Sequence, residues 1–352
     1  MTMKQLSAQT ISLLDDIEAR IDPETEEDFG RQWEDFLYGR FHGDIFSPCR
    51  ARVSDPTVVL PRVNINDALE DYEQMLVSQM QGVSAALAGR SQNLCVRANY
   101  GTGILSSLFG AEIFTMPREA NTLPTTRTFS DPDRIYELVE RGIPCLTNGF
   151  GQRVFEFGEY YLDVVRQWPK ISRYVEVYHP DTQGPLDICE LMWGGEMFYA
   201  MYDEPEFVHS ALSLVTETYT AFLNRWYELF PMRTEMNVHW GILRHRGAIV
   251  LRDDSAMNLS PELYKEFAAP YDEELLKRFG GGVVHFCGRG DHYIEELCSI
   301  PYVTGINMSQ PHLNDMEKIY RNTVDKGIRL LAFDRARAEQ DKARGFNGNL
   351  SC

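Results

Sequence analysis

The chain has 352 residues, of which 43% are hydrophobic and 24% charged, and its formal net charge is −18. That length admits one large α/β domain or two smaller ones, and the acidic balance excludes broad binding to nucleic acid or anionic membrane, which both select basic surface. No apolar run approaches the roughly 18–20 residues that span a bilayer. The first residues carry acids where a signal core would be apolar, and the seven cysteines are scattered and odd in number, so reduced thiols in a cytoplasmic protein are expected.

In chain order, "SAQTISLLDDIEARI" and "EEDFGRQWEDFLYGRF" place apolar residues at helical spacing. They predict an N-terminal helical extension over residues 1–57, leaning on a larger domain over 58–352. From there short β-rich runs alternate with longer amphipathic ones. The predicted strands are 58–63 (VVLPRV), 94–100 (LCVRANY), 173–179 (RYVEVYH), 248–254 (AIVLRDD), 283–287 (VVHFC), 303–309 (VTGINMS), 328–333 (IRLLAF) and 348–352 (GNLSC). Ser260-Pro261-Glu262 reads as a helix start, with Ser at the cap, Pro in the first turn and an acid at the positive end of the dipole. Strands alternating with helices imply βαβ units and a parallel sheet, and eight of them favour a closed (β/α)8 barrel. A doubly wound sheet is second, since no GxGxxG follows an early strand.

A barrel gathers its chemistry at the C-terminal ends of the strands. Six predicted strands end in polar residues: Asn99-Tyr100, His179-Pro180-Asp181, Asp253-Asp254, His285-Phe286-Cys287, Asn307 with Gln310, and Cys352. One such end is an ordinary exit to solvent, whereas six suggest a shared pocket. His285 and Cys287 are two apart, so a strand turns both to one face and offers a nitrogen and a sulfur to one point, a donor set that zinc accepts. The pair equally reads as packing, with His285 bonded to backbone. Cys298 falls within a helical stretch, which leaves Cys352, at the end of the last strand, as the candidate third ligand. Asp181, Asp253 and Asp254 are candidates for acid–base work or for orienting ligands, with one of the two neighbouring acids facing the pocket; as capping residues they would do neither. Asn99, Tyr100, Asn307 and Gln310 are candidates for contacts to a bound cofactor. His239, in "NVHWG", joins them, although such a histidine is more often structural.

The segments "VRANYGTG", "PDTQGPLDICELMWGGEMFYAMYDEPEF", "LRDDSAMNLSPELYKEFAAPYDEELLKRFGGGVVHFCG" and "GINMSQPHLNDMEKI" resemble the uroporphyrinogen decarboxylase superfamily from about residue 58 onward. The resemblance implies a (β/α)8 barrel. The superfamily includes the tetrapyrrole decarboxylase and the zinc-dependent methylcobamide:coenzyme M methyltransferases. The decarboxylase carries an arginine motif of the M-R-Q-A-G-R-Y type, and here "DFLYGRFHGD" and "SPCRARVSD" do not match it; Arg40, Arg50 and Arg52 are the only basic contacts they offer. The methyltransferase branch holds zinc through His-x-Cys and a distant Cys, which His285, Cys287 and Cys352 would supply. The resemblance thus implies transfer of a methyl group from a methyl-corrinoid, carried by a partner protein, to a small-molecule thiol at Zn2+. Decarboxylation of a tetrapyrrole and non-catalytic capture of a corrinoid or other small molecule are the alternatives. A homodimer is common for such barrels.

Overall fold

The computed structural model describes residues 6–352. Among these residues the chain forms twelve strands. They are β1 (Ile45–Phe46), β2 (Cys95–Val96), β3 (Ile113–Phe114), β4 (Thr125–Thr126), β5 (Glu176–Val177), β6 (Met236–His239), β7 (Leu243–Arg246), β8 (Ile249–Arg252), β9 (Gly282–Phe286), β10 (Val303–Met308), β11 (Arg329–Leu330) and β12 (Leu350–Ser351). Six of them build one sheet in the order β1-β12-β11-β10-β9-β8, parallel at every pairing. β2 and β5 form a separate parallel pair, while β3–β4 and β6–β7 are antiparallel. The fold is therefore α/β with a parallel sheet, as the alternation predicts. The continuous ladder is six strands long rather than eight.

Parallel sheets are buried on both faces, which is why their strands read as nearly unbroken apolar runs. Here the two faces bury different cores. Ile249, Leu251, Val284, Phe286, Ile306, Leu330 and Leu350 pack under the helices that follow the strands. Val250, Val283 and Leu331 point the other way, onto Phe29, Trp33, Phe36 and Leu37 of the helix Pro23–Leu37. Asp22 caps that helix, accepting from Glu24 N at 3.2 Å, and proline occupies its first position. The segment read from sequence as an extension thus plugs one face of the sheet, and it adds a strand as well, since β1 pairs with β12. The long helix Pro205–Leu229 buries Val208, Leu212, Val215, Tyr219, Phe222 and Trp226, a 3–4 spacing that keeps one stripe on the core. The predicted start at Ser260 is present: its hydroxyl accepts from Leu263 N at 3.2 Å, and the helix runs Pro261–Phe267.

Every predicted strand but the first overlaps an observed one. Residues 58–63 form no strand ladder. Pro61 has no N–H to give one, Val59 is exposed, and the carbonyls of Leu60 and Pro61 are taken by the Gln81 amide. No helix among the described residues is long and apolar enough to cross a membrane.

One turn carries a sharp steric demand. Gly247, between β7 and β8, has φ +89°, and a Cβ there would run into the Gly281 carbonyl. Gly247→Ala is expected to cost about 1–2 kcal/mol in backbone strain before that collision is counted. An unchanged denaturation midpoint would contradict this.

Candidate metal centre

The side chains that leave the sheet on the face of Val250 and Val283 meet beyond the strand ends. Alternation along β8 sends Val250, Arg252 and Asp254 one way and Ile249, Leu251 and Asp253 the other. Along β9 it groups Val283, His285 and Cys287. Asp254, His285 and Cys287 each bring one ligand atom to within 4.8 Å of the others'. His285 Nε2 lies 3.3 Å from Cys287 Sγ and 3.6 Å from Asp254 Oδ1. A tetrahedral zinc with bonds of about 2.0–2.3 Å sets its ligand atoms about 3.3–3.8 Å apart, so both separations fit one ion.

The imidazole is oriented by its far side. Asn307 Nδ2 donates to the Leu331 carbonyl at 2.7 Å, which turns Asn307 Oδ1 toward His285 Nδ1 at 2.6 Å. Nδ1 therefore carries the proton, and the Nε2 lone pair faces Cys287 and Asp254, the arrangement that metal-binding histidines adopt. Burial holds the His285 pKa below its ordinary value against the opposing pull of Asp254, so the ring is neutral. Burial also raises the Cys287 thiol, and the Asp254 carboxylate adds to that. A cation at this point would offset the cost by taking the thiolate. Around the pair, Asp254 Oδ1 accepts from Cys287 N at 2.8 Å and Gln310 Oε1 accepts from Gly288 N at 2.6 Å, pinning the loop after β9. Ser309 Oγ lies 3.5 Å from Cys287 Sγ.

Cys352 stands elsewhere. It shares the face of Leu350, packs against the helix-side core, and has Arg335, Asp334 and Glu339 as its charged neighbours. Sequence reasoning groups it with His285 and Cys287; the side chains found within 4.8 Å of one another are those two and Asp254. The two neighbouring acids also part company. Asp253 is fully buried on the helix side, against Asp272 and the Gly184 backbone. Burial, then the Asp272 charge, raises its pKa, while burial pushes Asp272 up to about 7. One proton between them makes donor and acceptor of two carboxyls and answers the otherwise unpartnered Asp253 oxygens. Tyr264 completes the group, its hydroxyl donating to Asp272 at 3.1 Å.

Asp181 is the hub of a second cluster beside the first. Its carboxylate contacts Arg97 at 2.5 Å, Arg252 at 3.4 Å and His239 at 3.5 Å, and it accepts from Trp240 Nε1 at 2.9 Å. Burial would raise its pKa, but Arg97 first, then His239 and Arg252, hold it well below the usual carboxylate range. Arg252 also reaches toward Asp254, 3.6 Å away, and so links the two clusters. Trp240 sits at φ +49° in the turn after β6, and its ring meets that of His285 edge-on at 5.1 Å. Asn99 is on the Arg97 side of its strand with a buried, unpartnered oxygen, whereas Tyr100 packs against Phe150 in the helix-side core. Arg97, Arg252 and Trp240 were not singled out from sequence. The available signal was spacing, since Arg252 precedes Asp254 by two residues and Arg97 precedes Asn99 by two. Arg40, Arg50 and Arg52 are engaged elsewhere, by Glu34 and Asp35, by Glu26 and by Asp22 respectively.

His179 and His245 are buried behind this cluster. His179 Nε2 accepts from Val250 N at 3.0 Å while Nδ1 faces the Pro180 carbonyl at 2.7 Å, so the ring is held neutral. Burial lowers His179 to about 4 and His245 to about 3. The unfolded chain takes up these protons near pH 6.5 and the folded chain only far below, so stability is full above that pH and falls as the solution is acidified. His179 alone is expected to remove about 3 kcal/mol by pH 4. Unfolding free energies that stay flat between pH 7 and 4.5 would contradict this.

A cavity of about 230 Å³ opens beside Asp254, lined also by Gln183, Asp187, Glu190 and Ser255. Two larger cavities, of about 350 and 360 Å³, lie away from the cluster. The donor chemistry, not the volume, marks the candidate site.

No family model matches the chain, and no curated protein matches its sequence. Among solved structures, a methyltransferase from Methanosarcina mazei is similar, with a TM-score of 0.60 and 14% sequence identity over 91% of this chain and 90% of that chain. At that identity the likeness establishes a shared fold.

Proposed function

We propose that the chain is a zinc-dependent methyltransferase of the uroporphyrinogen decarboxylase superfamily, taking a methyl group from a methyl-corrinoid on a partner protein and giving it to a small thiol. The observation that carries the reading is the convergence of His285 Nε2, Cys287 Sγ and Asp254 Oδ1 at spacings that suit one tetrahedral ion. The methyltransferase whose fold the chain shares adds support. In this reading the strands form a (β/α)8 barrel. Backbone and side-chain bonds that span the gaps between the smaller sheets are consistent with it, among them Asn93 N to Gly241 O at 2.7 Å and Val250 N to His179 Nε2 at 3.0 Å.

His285, Cys287 and Asp254 would hold the ion and leave its fourth position open, with Asp254 in the place that the resemblance assigns to Cys352. Bound there, zinc would lower the pKa of a substrate thiol so that it is a thiolate at neutral pH. Asn307 keeps the imidazole in the right tautomer and Gln310 fixes the loop. In the transfer, the substrate sulfur attacks the methyl carbon. The sulfur–carbon bond would form as the methyl group leaves its corrinoid donor, the donor would retain the electron pair, and the thiol proton would go to solvent. Elemental analysis of protein purified without chelator tests the reading, with about one zinc per chain expected. Absence of stoichiometric zinc, or zinc unaffected by Cys287→Ser, would overturn it. Failure to demethylate methylcobalamin with any of a panel of thiols would remove the transfer activity while leaving the metal centre standing.

A further inference from the structure

The opposite ends of the strands carry a second feature. Where β9, β10 and β11 begin, a cavity of about 360 Å³ is lined by Arg246, Arg329, Leu37, Gly281, Tyr302 and Thr304, among others. Two arginines line it and no acid does, in a protein with 52 acidic and 34 basic residues. Neither arginine makes an ion pair among the described residues. Arg246 lies over the Tyr38 ring at 5.0 Å, and Arg329 over Phe36 at 6.0 Å. Arg329 spends Nη1 on the Gly327 carbonyl at 2.7 Å and Nη2 on the Phe36 carbonyl at 3.3 Å, and its Nε is buried without a partner.

The acids nearby have partners other than these two arginines. Glu34 and Asp35 pair with Arg40, Asp325 with Arg344, and Glu235 accepts from the Tyr38 hydroxyl at 3.2 Å. What faces the two guanidiniums is the C-terminus of the helix Pro23–Leu37, which supplies about half a negative charge against two full positive ones. Burial first, and the charge of Arg246 second, hold the Arg329 guanidinium below its ordinary pKa, so the two cations repel across the cavity. Like charges lining one cavity, with no acid among its lining residues, are the pattern of a site whose counter-charge comes from a ligand.

We propose that this cavity binds a phosphate-type oxyanion between Arg246 and Arg329, at the end of the sheet remote from His285 and Cys287. The volume leaves room for an organic body beyond the phosphoryl group, and Leu37 and Tyr302 would line it. Free phosphate and a phosphomonoester share the recognised chemistry.

The test is calorimetric titration of the full-length chain with inorganic phosphate and with phenyl phosphate, at ionic strength fixed by sodium chloride. Saturable 1:1 binding of either is expected, with tighter binding of phenyl phosphate assigning the ester as the source. Arg246 is exposed, so Arg246→Gln leaves the packing intact, and it should weaken phosphate by about tenfold or more, as should Arg329→Gln. Heat no greater than that of a chloride titration, or equal affinity in Arg246→Gln, would overturn the proposal. Because the assay reads anion affinity alone, its failure is separable from failure of the metal centre.

Discussion

Asp181→Ala should destabilise the protein by about 3–5 kcal/mol, the usual cost of stripping one partner from a buried ion pair. The reason is the company the carboxylate keeps. Arg97 is largely buried, and Asp181 is its only ion-pair partner among the described residues, while Arg252 and the Trp240 indole lean on the same two oxygens. Removing the acid leaves a buried cation with no counter-charge. Urea unfolding at neutral pH measures the loss, and the double variant Arg97→Met with Asp181→Ala should recover part of it, since the pair then disappears together. A single variant as stable as the parent would mean that the arginines are solvated, and the hub described above would fall. The sequence suggests an acid–base role for Asp181; its geometry shows a residue that first of all keeps two guanidiniums in place.

The second large effect rests on the proposed metal centre. His285→Ala should abolish stoichiometric zinc, because it removes the only nitrogen of the donor set. Asn307→Ala removes nothing that would touch the ion, yet it should weaken zinc by about 10–100-fold, the usual effect of releasing a ligand's outer hydrogen bond. Competition against a chromophoric chelator reads both. Affinity should rise with pH, since the Cys287 thiol is held above its ordinary value and must give up its proton on binding. An Asn307→Ala variant with parental affinity would show that the amide does not set the tautomer. A pH-independent affinity would show that the thiol is not a ligand.

The sequence makes the parallel sheet legible because strands buried on both faces cannot hide: "VVHFC" and "AIVLRDD" stand out as apolar runs. The β6–β7 hairpin was missed for the opposite reason. "MNVHWGILRHR" carries two histidines and two arginines, and its strands are held by pairing and by Arg244, which bonds Asn93 at 2.7 Å and pairs with Glu176. That His285 and Cys287 share a face follows from spacing alone, since alternation is a local rule; their reading as a ligand pair comes from the resemblance. Which face a residue takes is not local. Asp253 and Asp254 look interchangeable until the register of β8 against β9 assigns one to the helix layer and the other to the cluster. Cys352 depends on the pairing of Leu350 with Leu330, which no stretch of sequence displays. Arg97 and Arg252 were passed over because a charged residue near a strand end reads as an exit to water. Here the charge is answered by an acid more than eighty residues from one and seventy from the other.

The pairing of β1 with β12 bears on how the protein is made. Residues 45–46 are made about three hundred residues before their partner, so this loop closure comes late and costs chain entropy. Until then Phe46, with Phe36 stacked on it and Trp33 edge-on to it, has only part of its final cover. Nascent chains stalled short of residue 350 should present this aromatic cluster to chaperones. Deleting residues 350–352 should depress the yield of folded protein far more than the area they bury would suggest.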